Sequence, residues 1–228
     1  MDLEVLAADE SPIGMICLRR RELPGRSAFE ITVDHQFLMS SLVTASERAL
    51  AERALELHGG RDLSVLVGGL GLGYTAQAAL AAPDVARVEV VELLQPVIGW
   101  LERGLIPLAA ELSGDARLAV VQGDVYARLL APPARRYDAI LVDVDTSPER
   151  RLGETSDDFY VEAGLARAAR HLTQGGVLGV WSYAESPPFE AELRKVFTRV
   201  DVSPVSFFNE MLGEDETNCL YFARDPAQ

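Results

Sequence analysis

Cysteine is scarce in this chain: Cys17 and Cys219 are the only two in 228 residues. They lie in separate strand-like runs. That excludes a disulfide scaffold and leaves two buried free thiols of a cytoplasmic protein as the reading. Histidine is equally thin. His35, His58 and His171 are scattered with no ligand spacing, so no metal is expected. Basic residues are outnumbered, 21 Lys and Arg against 35 Asp and Glu, for a net charge of −14. A nucleic-acid binder needs a basic footprint, so nucleic acid is excluded as a partner. The one basic run, Arg19-Arg20-Arg21, has no interleaved aromatics and reads as a solvated strand end. No apolar run approaches the roughly 20 residues of a membrane span, and membrane is excluded with it. Met1-Asp2-Leu3-Glu4 lacks the positive start of a secretory signal.

What is present is an apolar, glycine-punctuated chain, 48% hydrophobic, of a size for one α/β domain with a small appendage. It is organised around Ser64-Val65-Leu66-Val67-Gly68-Gly69-Leu70-Gly71-Leu72-Gly73-Tyr74-Thr75. An apolar run, alternate glycines and a helical Thr75-Ala76-Gln77-Ala78-Ala79-Leu80 read as buried parallel strand, tight turn and helix. Gly69, Gly71 and Gly73 let backbone approach a ligand and tolerate positive φ. About twenty residues on, Val88-Glu89-Val90-Val91-Glu92 ends a second strand on an acid, where a nucleotide-binding βαβ unit places its ribose-binding carboxylate.

In chain order, residues 1–43 read as a β-hairpin region. The strands are 3–7, 15–18 and 28–33, separated by Ser11-Pro12-Ile13-Gly14 and Leu23-Pro24-Gly25-Arg26-Ser27. Residues 44–228 read as the catalytic domain. Thr44-Ala45-Ser46-Glu47 matches a capping box. The helix it opens carries Leu50, Ala54 and Leu57 on one face and stops near His58-Gly59-Gly60. Pro96 fits the first turn of a further helix. Strands follow at 117–121, ahead of Gln122-Gly123-Asp124-Val125, and at 137–143, ending on Asp143. A loop over 144–156, a helix over 157–171, a strand at 176–181 and a helix at 189–196 come next. Two strands, 199–207 and 218–224, close the chain through a polar loop too short for a helical crossover. The expected fold is a mostly parallel seven-stranded sheet with an antiparallel last strand. Glu92, Asp124 and Asp143 all end strands and should converge on one crevice.

This arrangement resembles the class I S-adenosylmethionine-dependent methyltransferase fold, which is Rossmann-like. Within it the chain more closely resembles the polyamine aminopropyltransferases, the spermidine synthase family. Val67-Gly68-Gly69-Leu70-Gly71-Leu72-Gly73 stands where that family has Val-Gly-Gly-Gly-Asp-Gly-Gly. Gly123-Asp124 matches its Gly-Asp, Tyr137-Asp138-Ala139-Ile140-Leu141-Val142-Asp143 its Tyr-Asp-Val-Ile-Ile-Val-Asp, and Asp158-Phe159-Tyr160 its Glu-Phe-Tyr. The resemblance implies an adenosyl pocket formed by Gly69, Gly71, Gly73, Glu92, Asp124 and the neighbours Leu93 and Val125. It also implies S-adenosylmethionine or its decarboxylated form as co-substrate, a small-molecule amine as acceptor and a homodimer. The family's Asp-Ser-Ser-Asp-Pro becomes Asp143-Val144-Asp145-Thr146-Ser147 here. The Asp of the glycine loop is absent, the Tyr-His pair of the first helix has no counterpart, and the following loop carries Arg150-Arg151.

A sulfonium activates its own carbon, so an enzyme need only align a nucleophile with it. An amine must also lose a proton, and a carboxylate beside it can accept that proton. Asp143 is the expected catalytic acid–base, with Asp145 as its partner. Asp124 doubles as a helix N-cap. Two alternatives stand beside aminopropyl transfer. One is methyl transfer from S-adenosylmethionine, since Asp143-Val144-Asp145 also resembles the Asp-Ala-Asp of metal-dependent O-methyltransferases. Trp181-Ser182-Tyr183 replaces the Asp-Asn those enzymes add. The other is a non-catalytic module that keeps only the nucleoside pocket.

Overall fold

The structure, a computed structural model, describes residues 3–144, 147–148, 158–210 and 213–227. Asp145, Thr146, Arg150 and Arg151 lie outside the described residues. The N-terminal part is a meander of four antiparallel strands: β1 (Leu3–Ser11), β2 (Gly14–Leu23), β3 (Arg26–Val33) and β4 (Gln36–Ser40). The sequence reading has three of these. β4 escapes it because the turn before it, Asp34-His35, carries no glycine yet holds both residues at positive φ, 46° and 67°. That geometry belongs to a tight hairpin turn. Here the Asp34 carboxylate steadies it by accepting the Met15 N–H at 2.8 Å.

Helix α1 (Ala45–His58) ends where Gly59 turns left-handed at φ 65°. After it, β5 (Leu63–Gly68), α2 (Tyr74–Ala81), β6 (Val85–Glu92), α3 (Gln95–Glu102), the short α4 (Ala109–Gly114), β7 (Leu118–Gln122), α5 (Val125–Leu130) and β8 (Tyr137–Val142) alternate along the chain. Then come α6 (Glu162–Ala169), β9 (Leu172–Ser182), α7 (Pro187–Val196), β10 (Phe197–Asn209) and β11 (Glu214–Pro226).

The large sheet has the order β10-β11-β9-β8-β5-β6-β7. β5 to β9 pair in parallel, and β11 runs antiparallel to both β9 and β10. Every residue of β5 is buried, as a central parallel strand covered on both faces requires. One face packs α1 to α4 through Leu50, Ala79, Trp100 and Leu112, and the other packs α5 to α7 through Leu129, Leu165 and Leu193. The core of the first face runs on into the small sheet through Ile16, Leu18 and Ile31. The indole of Trp100 on α3 donates to Asp9 of β1 at 3.0 Å and ties the two sheets together.

Four expectations change. Arg19 and Arg21 are not solvated: both bind the fully buried Glu30, at 2.8 and 2.7 Å, and only Arg20 turns outward to Glu4 and Glu22. The capping box does not form, because Thr44 makes no side-chain cap and Glu47 is turned into the protein. The helix expected from 157 begins only at Glu162, after Phe159 and Tyr160 have been buried. The last two strands are much longer than their apolar runs.

Candidate active site

The glycine turn lies at the sheet's switch point, where β5 stands between β6 and β8. Gly69 donates to the Val91 carbonyl and Asp143 donates to the Gly68 carbonyl, both at 2.9 Å, so the turn is laced to both neighbouring strand ends. Gly69 sits at φ 91°, and a side chain there would run into the Asp143 carbonyl. Gly71, at φ 51°, faces the cavity, and a Cβ would stand 2.7 Å from the Met39 sulfur of β4. Gly73 is different. It caps α2 at φ 92°, packs against Leu112 of α4 and does not line the cavity.

Glu92 is 6% exposed. Its Oε2 accepts the Leu70 N–H at 2.7 Å and its Oε1 the Leu94 N–H at 2.8 Å. Burial raises its pKa, and these amides with those of Gly71 and Leu93 pull against the rise. The carboxylate therefore braces the glycine turn while lining the cavity beside Leu93. Asp124 caps α5, with Oδ1 accepting from Tyr126 and Ala127 at 2.8 and 3.2 Å. It lines the same cavity with Gly123 and Val125.

Asp143 follows β8. Its Oδ2 accepts the Thr75 hydroxyl at 2.5 Å. Burial pushes its pKa to about 6, against that hydrogen bond. Glu47, which sequence reasoning missed, enters the cavity from α1. Its pKa is pushed to about 7, first by burial and then by the charge of Asp143. A signal was available: Glu47 shares the inward face of α1 with Leu50 and Ala54, at the three- and four-residue spacing of neighbours on a helix.

These residues line one cavity of about 800 Å³ at the carboxyl ends of the strands. It runs from Glu92 and Asp124, past Asp143 and Glu47, to an aromatic end formed by Trp181, Tyr183 and Phe207. There Glu216 accepts from the Tyr183 hydroxyl at 3.2 Å and from Asn209 Nδ2 at 2.5 Å. A shallower pocket of about 440 Å³, lined by Glu52, Gly59 and Asp84, contains none of these residues. Among the described residues no group of His, Cys, Asp and Glu could hold a metal ion. Nor is any helix there long and apolar enough to cross a membrane.

The architecture and the cavity define the class: an α/β fold of the class I methyltransferase type. More narrowly, the chain's fold is like that of the spermidine synthases. Its fold superimposes on spermidine synthase in complex with the transition-state analogue AdoDATO with a TM-score of 0.77, covering 96% of this chain and 73% of that one at 20% identity. The Thermotoga maritima spermidine synthase gives 0.76, covering 96% and 72%, at 19% identity. In sequence, polyamine aminopropyltransferase 2 of Streptomyces coelicolor is 35% identical over 144 residues, 61% of this chain and 24% of that protein. Putrescine N-methyltransferase 2 of Nicotiana attenuata is 34% identical over 125 residues, 54% of this chain and 31% of that protein. The matches thus span a quarter to a third of these curated relatives. No protein-family model matches the chain.

Proposed function

We propose that this chain moves an aminopropyl group from a decarboxylated S-adenosylmethionine-type sulfonium to a small amine. One observation carries the reading. The cavity that joins the glycine turn, Glu92 and Asp124 also holds Glu47, Asp143 and Glu216. None of these three makes a salt bridge to a Lys or Arg among the described residues. Arg19 also lines the cavity, but it is bound to the buried Glu30, so these three carboxylates in a largely apolar cavity call for a cationic ligand. The aromatic rings of Trp181, Tyr183 and Phe207 suit the methylene chain and the charge of such an amine.

In this reading Glu92 takes the ribose hydroxyls, with Leu93 beside it. Asp124 and Val125 border the adenine, and Gly69 and Gly71 let the nucleoside lie against backbone. Asp143 takes the proton from the attacking amine. A cytoplasmic location and a homodimer belong to the same proposal. The dimer is supported by the apolar groups that the small sheet exposes, Val5 at 57% and Phe37 at 52%.

The test is product mass. Putrescine incubated with decarboxylated S-adenosylmethionine is expected to gain an aminopropyl group and release 5′-methylthioadenosine. The similarity to putrescine N-methyltransferases favours a second reading, methyl transfer. A product heavier by one methyl group, formed only with S-adenosylmethionine, would establish it instead.

A further inference from the structure

Beyond the strand-end acids, the cavity contains one polar cluster with more acceptors than protons. Ser46 Oγ lies 2.8 Å from Glu47 Oε2 and 3.0 Å from Asn218 Oδ1. Asn218 Nδ2 donates to the Tyr183 carbonyl, which fixes the amide with its oxygen towards Ser46. A hydroxyl has one hydrogen. If Glu47 is ionised, its Oε2 and Asn218 Oδ1 compete for that hydrogen, and although the Glu47 N–H also bonds the carboxylate, whichever of the two loses the serine proton faces the bare Ser46 oxygen. If Glu47 is protonated, its O–H donates to Ser46 and Ser46 donates to Asn218, and every oxygen in the chain is satisfied. A buried acceptor without its proton is costly, so the geometry favours the proton.

We propose that Glu47 stores a proton in the empty site and gives it up when the acceptor's ammonium binds, so that Glu47 and Asp143 hold the amine between them. The inference rests on the amine-acceptor reading above. Glu47 is 9% exposed and lines the cavity with Asp143. The charged and titratable groups that influence it are Asp143 at the end of β8, Tyr74 of α2 and Arg48 of its own helix. Arg48 is occupied elsewhere, bonded to Gln77 and placed 5.0 Å over the Tyr74 ring. β9 and β11 bring Trp181, Asn218 and, farther along the cavity, Glu216. The raised pKa values of Glu47 and Asp143 agree with one proton kept between them near neutral pH.

The chemistry balances. The ammonium enters as the Glu47 proton leaves to solvent. Asp143 removes one N–H proton, and the freed lone pair forms the new N–C bond. The C–S bond breaks with its electrons on sulfur, so the sulfonium becomes a neutral thioether. The product leaves as a secondary ammonium, and Asp143 returns its proton to solvent.

The experiment titrates putrescine into protein saturated with 5′-methylthioadenosine, at pH 6.5, in two buffers of different ionisation enthalpy. The wild type is expected to release on the order of one proton per amine bound. Glu47→Gln keeps the Ser46–Asn218 chain satisfied but cannot ionise. It is expected to bind the nucleoside within about twofold of wild type, to bind putrescine at least about tenfold more weakly, and to lose most of the proton release. Glu47→Asp should recover part of both. If the wild type binds no amine, the amine-acceptor reading falls and this inference with it. If the wild type binds amine and Glu47→Gln matches it in affinity and proton release, the inference alone is overturned. Equal loss in the Gln and Asp variants, with nucleoside binding intact, would also overturn it, because packing rather than charge would then be responsible.

Discussion

At the scale of single residues, the site separates into groups that hold backbone and groups that stand ready for ligand. Glu92 belongs to both. Removing its carboxylate deprives the Leu70 and Leu94 amides of their acceptor and, in the proposed function, a ribose of its partner. Glu92→Ala should therefore weaken 5′-methylthioadenosine binding by about 1.5–3 kcal/mol, the range for a hydrogen bond to a charged group, and lower thermal stability at the same time. Calorimetry and a melting curve read the two effects separately. Asp143→Asn should behave otherwise. The amide can still accept from Thr75, so nucleoside binding should persist while turnover falls about 10²–10⁴-fold, the usual contribution of a positioned general base. A variant with near-native turnover would remove Asp143 from the chemistry.

Legibility differed among these residues for physical reasons. Glu92, Asp124 and Asp143 end strands, and the switch point of a parallel sheet gathers strand ends into one crevice. They could be placed from their position alone. Glu47 carried a competing signal, because Thr-x-x-Glu before an apolar helix also has a local explanation as a capping box, which masked its place on the inward face. Only the tertiary fold shows that this explanation fails. Glu216 was hidden for another reason. It belongs to a stretch of strand beyond the apolar run, where no alternation of polar and apolar side chains marks it.

At the scale of elements, the glycine turn divides its labour. Gly69 stays small because β8 passes behind it, Gly71 because the cavity and Met39 lie before it, and Gly73 because α4 lies beside it. Gly71→Val should abolish nucleoside binding in a protein that still folds. Gly73→Ala should cost more than about 1 kcal/mol, from left-handed backbone strain and the Leu112 contact. The nucleoside affinity of the folded fraction should survive. Denaturant melts combined with nucleoside titration distinguish the two, and loss of binding in both variants would mean the turn acts only as a unit. The strands and helices were mostly legible because β5, β6 and β8 are short runs rich in Val, Leu and Ile between glycine, proline or acid boundaries. β4 and α4 were not, since a turn without glycine and a six-residue helix leave little periodic signal.

At the scale of the whole molecule, two cavity acids with raised pKa values make stability depend on pH. In the unfolded chain Glu47 and Asp143 ionise near their ordinary values of 4.5 and 3.8, and in the folded chain near 7 and 6. The folded state therefore binds more protons across that window. The stabilisation they provide is complete below about pH 4 and is lost as pH rises towards 7. Glu30 and Glu89, whose pKa values are lowered despite burial by their arginine partners, pull in the opposite direction at acid pH. The comparison must therefore be between wild type and Glu47→Gln. The stability difference between them is expected to shift in favour of the variant as pH rises from 5 to 7.5. A difference independent of pH would show that Glu47 titrates alike in both states.

The link from Ser46 to Asn218 joins residues 172 positions apart, the beginning of α1 to the last strand. During synthesis the ribosome releases the glycine turn, Glu92, Asp124 and Asp143 well before Trp181, Asn218 and Glu216. A growing chain that has just completed β8 already carries the groups assigned to the nucleoside. Trp181 follows with β9, and Phe207, Glu216 and Asn218 arrive only with the final hairpin. The order of translation thus completes the cavity last at its aromatic end, and only the finished sheet encloses it.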